Sequence, residues 1–142
     1  MQERRPVGWW VRRLDELLER GLDGVVAGEG LTRRHWQLLQ SVAGGPVPRA
    51  DLHTALAGFA GPRDLDAALA DLAARGWLAD DAGTLALTAD GRTAHERLAA
   101  AVGAFRRRVA DGLTAEEYAA VVAGLARMVA NVEQALADQP RR

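Results

Sequence analysis

Apolar residues recur at steps of three and four along most of this chain, the spacing of amphipathic helices. Val7, Trp10, Val11, Leu14, Leu17, Leu18 and Leu22 make one stripe and predict a first helix from Val7 to about Val26, ended by Gly28-Glu29-Gly30. Thr32 is suited to cap a second helix and Leu31 to staple onto Trp36. That helix carries Trp36, Leu39 and Val42 and stops at Gly44-Gly45-Pro46. A short third helix is expected from Arg49 to Leu56, then a turn over Gly58 to Gly61. Pro62 suits the first position of a fourth helix, which runs through Leu65, Leu69 and Leu72 to Arg75-Gly76.

The period then changes. Trp77-Leu78-Ala79 and Leu85-Ala86-Leu87 read as two short strands around a turn at Asp80-Asp81-Ala82-Gly83. Thr88 can cap a long fifth helix ending near Asp111-Gly112. Thr114 with Glu117 three residues on is a capping box, and Leu113 with Tyr118 a staple, for a sixth helix that reaches about Ala137. The expected fold is mainly α with a small β-wing: a winged helix-turn-helix with extra helices before and after it. We read residues 1–142 as a single domain, with N-terminal helices at 7–45, the winged module at 46–88 and C-terminal helices at 89–137.

The first and last helices hold more apolar surface than a central module of this size can cover, which points to an interface with a second copy. Composition excludes several chemistries. Without cysteine there is no thiolate catalysis, thiol redox sensing or Cys-ligated zinc. His35, His53 and His95 fall on three different predicted helices with no i, i+4 pair, so no metal site is expected. Ser41, the only serine, has no nucleophile elbow around it. No glycine-rich strand–turn–helix loop supports nucleotide binding, and no cofactor or enzymatic activity is expected. No uninterrupted apolar run reaches the length of a membrane span, and Met1 to Pro6 leads into no signal-peptide core, so the expectation is a cytoplasmic protein with no membrane partner.

The ordered set of segments resembles the MarR family of winged-helix regulators. GLTRRHWQLLQSVA (Gly30 to Ala43) is similar to the family's second helix. DLHTAL and LDAALADLAARGWLAD resemble its helix-turn-helix and the recognition helix running into the wing. LALTADGRTAHERL (Leu85 to Leu98) resembles the wing's return strand and the start of a dimerisation helix, and GLTAEEYAAVVAGLARMVANVEQAL the final dimerisation helix. The resemblance implies a homodimer that binds a double-stranded DNA operator through the fourth helix and the wing, relieved by a small ligand, here an aromatic effector. On that reading Arg49, Arg63, Asp64 and Asp66 are the DNA-contact residues. Trp10, Leu14, His35, Trp36 and Leu39 line a ligand pocket. Val7, Tyr118, Val121, Leu125, Val129 and Leu136 form the dimer interface.

Charge runs the other way. From Arg49 to His95 four arginines stand against seven aspartates, so the module that the resemblance implies reads DNA is the most acidic part of a chain whose net charge is −1. Phosphate contacts need cations. With Leu65, Leu69 and Leu72 turned to the core, the outward set of the fourth helix is Arg63, Asp64, Asp66, Ala67, Ala70, Asp71 and Ala74, and its aspartates would face the backbone phosphates. The alternative is a winged-helix protein with weak or lost DNA binding that acts through a protein partner or by ligand sequestration, its acidic face from Asp64 to Asp81 meeting a basic partner.

Overall fold

Helix caps, strand register and glycines that only close packing explains give the predicted elements their limits. The computed structural model describes residues 4–141; Met1–Glu3, part of the segment read against a signal peptide, and Arg142 lie outside. The elements are α1 (Val7–Val26), a 3-10 turn (Ala27–Glu29), α2 (Arg33–Val42), β1 (Val47–Pro48), α3 (Arg49–Leu56), α4 (Pro62–Ala74), β2 (Leu78–Asp81), β3 (Thr84–Leu87), α5 (Ala89–Val109) and α6 (Ala115–Ala137). This is the expected class, mainly α with a β-wing. The chain divides into two units, Met1–Phe105 and Arg106–Arg142.

In the first unit, the 3-10 turn that follows α1 ends where Gly30 takes a left-handed φ of 73° and donates its N–H to the Ala27 carbonyl. Asp23 of α1 then accepts a hydrogen bond from the Arg33 backbone N–H at 2.6 Å, satisfying an orphan donor at the start of α2. The core gathers Leu22 and Val26 of α1, Trp36, Leu38, Leu39 and Val42 of α2, Leu52 and Leu56 of α3, Leu65, Leu69 and Leu72 of α4, the wing leucines, and Leu98 and Val102 of α5. Each such leucine is worth roughly 1.5–3 kcal/mol of burial.

The three strands are antiparallel in the order β1-β3-β2. Leu78 pairs with Leu87 and Asp81 with Thr84, leaving a two-residue turn at Ala82-Gly83 with φ of 51° and 89°. Both positive values are what a tight hairpin with right-handed strand twist requires. The hairpin is therefore longer than expected, since Asp80 and Asp81 belong to the strand. Strand β1, too short to carry a periodic signal, was not foreseen. Thr88 caps α5 through its side-chain oxygen, which accepts the Gly91 N–H at 3.0 Å. Gly91 has no room for a side chain: a Cβ would collide with the Trp77 carbonyl. Gly21 makes room for the Phe105 ring in the same way.

The second unit is dominated by α6. Its capping box forms as expected: Thr114 Oγ1 accepts the Glu117 N–H and Glu117 Oε1 accepts the Thr114 N–H, both at 3.0 Å. No residue of α6 is buried in the chain. By length and composition alone α6 is long and apolar enough to cross a membrane, which corrects the expectation that no segment reaches that length. The reason is that Arg127 and Glu133 are the only charged residues between Tyr118 and Ala135, so the average is apolar although no run is unbroken.

Candidate nucleic-acid interface

Helix α4 starts with Pro62 at its first position and Gly61 as its extended N-cap, and buries Leu65, Ala68, Leu69 and Leu72. At about 100° per residue the line opposite that face is Arg63, Ala67, Ala70 and Ala74, and all four are exposed. The acidic residues fall to either side of this ridge: Asp66 on one flank, Asp64 and Asp71 on the other.

Asp66 is held by α3. Its Oδ1 lies 2.8 Å from His53 Nε2 and 3.2 Å from Arg49 Nη1. Arg49 reaches on to the wing, where Nη2 lies 3.3 Å from Asp80 Oδ2. Its backbone N–H donates to the Gly83 carbonyl at 2.9 Å, and Asp80 Oδ1 accepts the Gly83 N–H at 2.8 Å. One arginine thus links the recognition helix, α3 and the wing turn. The His53 hydrogen bond, helped by the His53 charge and the Arg49 contact, outweighs an opposing desolvation and holds the Asp66 carboxyl below the usual carboxylate range.

Asp71 is held by α2. The Thr32 N–H donates to His35 Nδ1 at 3.0 Å, so Nδ1 is the unprotonated nitrogen and Nε2–H donates to Asp71 Oδ2 at 3.2 Å. His35 is buried with both ring nitrogens used, one on the α2 N-terminus and one on α4. Among the described residues, Arg63 and Asp64 make no ion pair and are exposed.

The four residues expected to contact DNA therefore have different situations. Arg63 stands free on the outward line, Asp64 is free on its flank, and Arg49 and Asp66 are paired with each other. The sequence reading did not assign His53 or Asp80 to this cluster. The four-residue spacing of Arg49 and His53, which puts them on one face of α3, was the available signal.

The residues expected to line a ligand pocket are not gathered by a single chain. Trp36 and Leu39 are packed in the core, and Trp36 stacks on His95 with ring centroids 5.3 Å apart and planes 4° apart. His35 instead faces an open polar cleft of about 390 Å³, shared with Glu19, Asp23, Arg33, Arg34, Asp64 and Asp71. Trp10 and Leu14 lie on the first half of α1 and are exposed. Of the residues expected at a dimer interface, Val7, Tyr118, Val121, Val129 and Leu136 are exposed, and Leu125 is half-buried.

A helix-turn-helix closed by a β-hairpin is the winged-helix class of DNA-binding folds. With two helices before this module and two after it, the chain has the fold of the MarR-family regulators. No protein-family model matches the sequence, and no curated protein matches it significantly. Solved structures do. The chain is similar to the Mycobacterium tuberculosis MarR family protein Rv2887 in complex with DNA, at 25% identity and a TM-score of 0.74, over 87% of this chain and 98% of that one. The same protein in complex with p-aminosalicylic acid matches at 25% identity and a TM-score of 0.70, with the same coverage. Bordetella bronchiseptica BpsR, whose DNA binding is regulated by 6-hydroxynicotinic acid, matches at 22% identity and a TM-score of 0.72, over 88% and 94% of the two chains.

Proposed function

We propose that this protein is a cytoplasmic, dimeric, DNA-binding transcriptional regulator of the MarR type, responsive to a small aromatic ligand, and not an enzyme. The observation that carries the reading is the match to a regulator solved on DNA, over 87% of this chain and 98% of that one. Arg63 is then the base-reading side chain, because a guanidinium in the first turn of a recognition helix can take guanine O6 and N7 together.

The dimer is supported by the pattern of α6. Tyr118, Val121, Val122, Leu125, Val129, Val132 and Leu136 fall within one stripe at 3.6-residue spacing, while Arg127, Asn131 and Gln134 lie opposite. A helix facing lipid would be apolar all round. A one-sided seam suits a protein surface, and a second copy supplies it. Val7, Val11, Leu14 and Leu17 extend a similar exposed stripe along α1. An effector pocket built on Trp10 and Leu14 also needs a second copy for its other wall.

The alternative, a winged-helix protein with lost DNA binding that works through a basic partner, is favoured by one observation: Arg49, placed to meet a phosphate, is engaged by two aspartates. A gel shift at low salt with the DNA upstream of the protein's own gene separates the two. Binding that Arg63→Ala weakens by about 1–3 kcal/mol supports the regulator. Absence of binding to that DNA and to unrelated duplexes supports the partner.

A further inference from the structure

We infer that Asp66 and Asp80 act as internal stand-ins for phosphate: they occupy the Arg49 guanidinium, so that the protein keeps one of its own arginines from DNA and holds its affinity down. The inference rests on the DNA-binding reading above and concerns how strongly that surface can bind. Arg49, Arg63 and Arg75 are the arginines of residues 46–88. Arg75 lies over the Trp77 ring, 5.2 Å from its centroid, and Arg63 makes no ion pair among the described residues. Arg49 is set between carboxylates of two elements. Its Nη1 lies 3.2 Å from Asp66 of α4 and its Nη2 3.3 Å from Asp80 of β2. The guanidinium thus lies on the surface that α4 and the wing share, with its side chain 40% exposed.

An arginine takes a phosphate through two N–H groups at once. In Arg49 both terminal nitrogens are already engaged. Each carboxylate is also anchored from its other side: Asp66 Oδ1 lies 2.8 Å from His53 Nε2, and Asp80 Oδ1 accepts the Gly83 N–H at 2.8 Å. The two acceptors are therefore held in place for the guanidinium and need no ordering to reach it. One guanidinium against two carboxylates leaves the triad with a net charge of −1. An approaching phosphate meets repulsion where the sequence alone shows a cation. The wing does not depend on this side chain, because the Arg49 backbone N–H donates to the Gly83 carbonyl at 2.9 Å and β1 pairs with β3. Exposed ion pairs add little to stability, so the triad can be opened without unfolding the module.

The test compares two double variants of the intact chain, binding a labelled duplex from upstream of the protein's own gene across a series of salt concentrations. Asp66→Asn with Asp80→Asn releases Arg49, while the amide oxygens can still accept from His53 and the Gly83 N–H. Asp64→Asn with Asp81→Asn is the matched control. It also removes one charge from α4 and one from β2, but from exposed aspartates in no ion pair among the described residues. One more neutralised phosphate steepens the slope of log affinity against log salt by about 0.9. The released variant should exceed the control by that amount per protomer, so a fourfold drop in salt strengthens its binding about 3.5 times more. Adding Arg49→Gln to the released variant should remove the increment. Equal slopes in the two double variants, an increment that survives Arg49→Gln, or weaker binding by the released variant than by the unaltered chain would overturn the inference and leave DNA binding standing. Failure of the unaltered chain and both double variants to bind at the lowest salt would overturn both.

Discussion

The winged module and helix α6 are built from the same apolar periodicity and end in opposite states. In the winged module the apolar stripes find cover: Leu52, Leu65, Leu69, Leu72 and Leu85 are buried, and Arg49, Asp66, Asp71 and Asp80 around them have charged or imidazole partners. In α6 a stripe of comparable regularity is left open, with Val129, Val132 and Leu136 each more than half exposed. The difference teaches that periodicity announces a buried face without saying whose side chains bury it. Within one chain the cover for the winged module comes from neighbouring elements, and the cover for α6 has to come from another molecule.

If that contrast is right, a charge should have different consequences in the two places. Leu125→Asp, on the α6 seam, should cost about 3–5 kcal/mol of association, so that sedimentation at micromolar concentration shows the 15.2 kDa chain in place of a species twice that mass. A wild-type chain that sediments as a monomer would break the comparison outright. In the module, Leu38→Ala should lower the unfolding free energy by about 2–5 kcal/mol through an unfilled cavity, read from chemical denaturation. A much smaller loss would mean that the core is less tightly packed than its burial implies.

Smaller changes sharpen the picture of the wing. Ala82 holds a left-handed backbone at φ 51° without being glycine. Ala82→Asn, which gives the turn the Asn-Gly pair it favours, should raise stability by up to about 1 kcal/mol. A fall in melting temperature would show that the turn relaxes in solution. The smallest effect expected is electrostatic. Asp66 has its carboxyl pKa lowered by His53 first and Arg49 second. The clamp on α4 should therefore be fully present above the ordinary carboxylate pKa and be lost as pH falls through the lowered value of the folded state. NMR titration of the Asp66 carboxyl should show this low transition, moving upward in His53→Ala. An unchanged transition would place the clamp elsewhere.

Much of this was legible beforehand for identifiable reasons. Capping residues such as Thr114 and Glu117 act within one turn of helix, so the start of α6 is written locally, as are the Pro62 start of α4 and the limits of α1 and α3. Strand β1 has only Val47 and Pro48, and its pairing with β3 is a long-range event that no local pattern announces. The charge count overstated the acidity of the recognition face because it assigned seven aspartates to the module without knowing their directions. Asp66 and Asp71 are turned aside by His53, Arg49 and His35, residues distant in sequence. The pocket reading placed Trp10 beside Trp36 by element order, whereas one lies exposed on α1 and the other is sealed in the core.

The central claim is that a dimer of this chain reads DNA with few charges, and the salt dependence of affinity tests it most directly. Fluorescence anisotropy of a labelled upstream duplex, titrated with the intact protein across a series of salt concentrations, gives the slope of log affinity against log salt. With Arg49 tied to Asp66 and Asp80, and Arg63 reading a base, few phosphates are neutralised, so binding should be measurable at low salt and decline with a shallow slope. No binding at the lowest salt would contradict the claim that this fold reads DNA, and a steep slope with nanomolar affinity at physiological salt would contradict the claim that it does so with few charges.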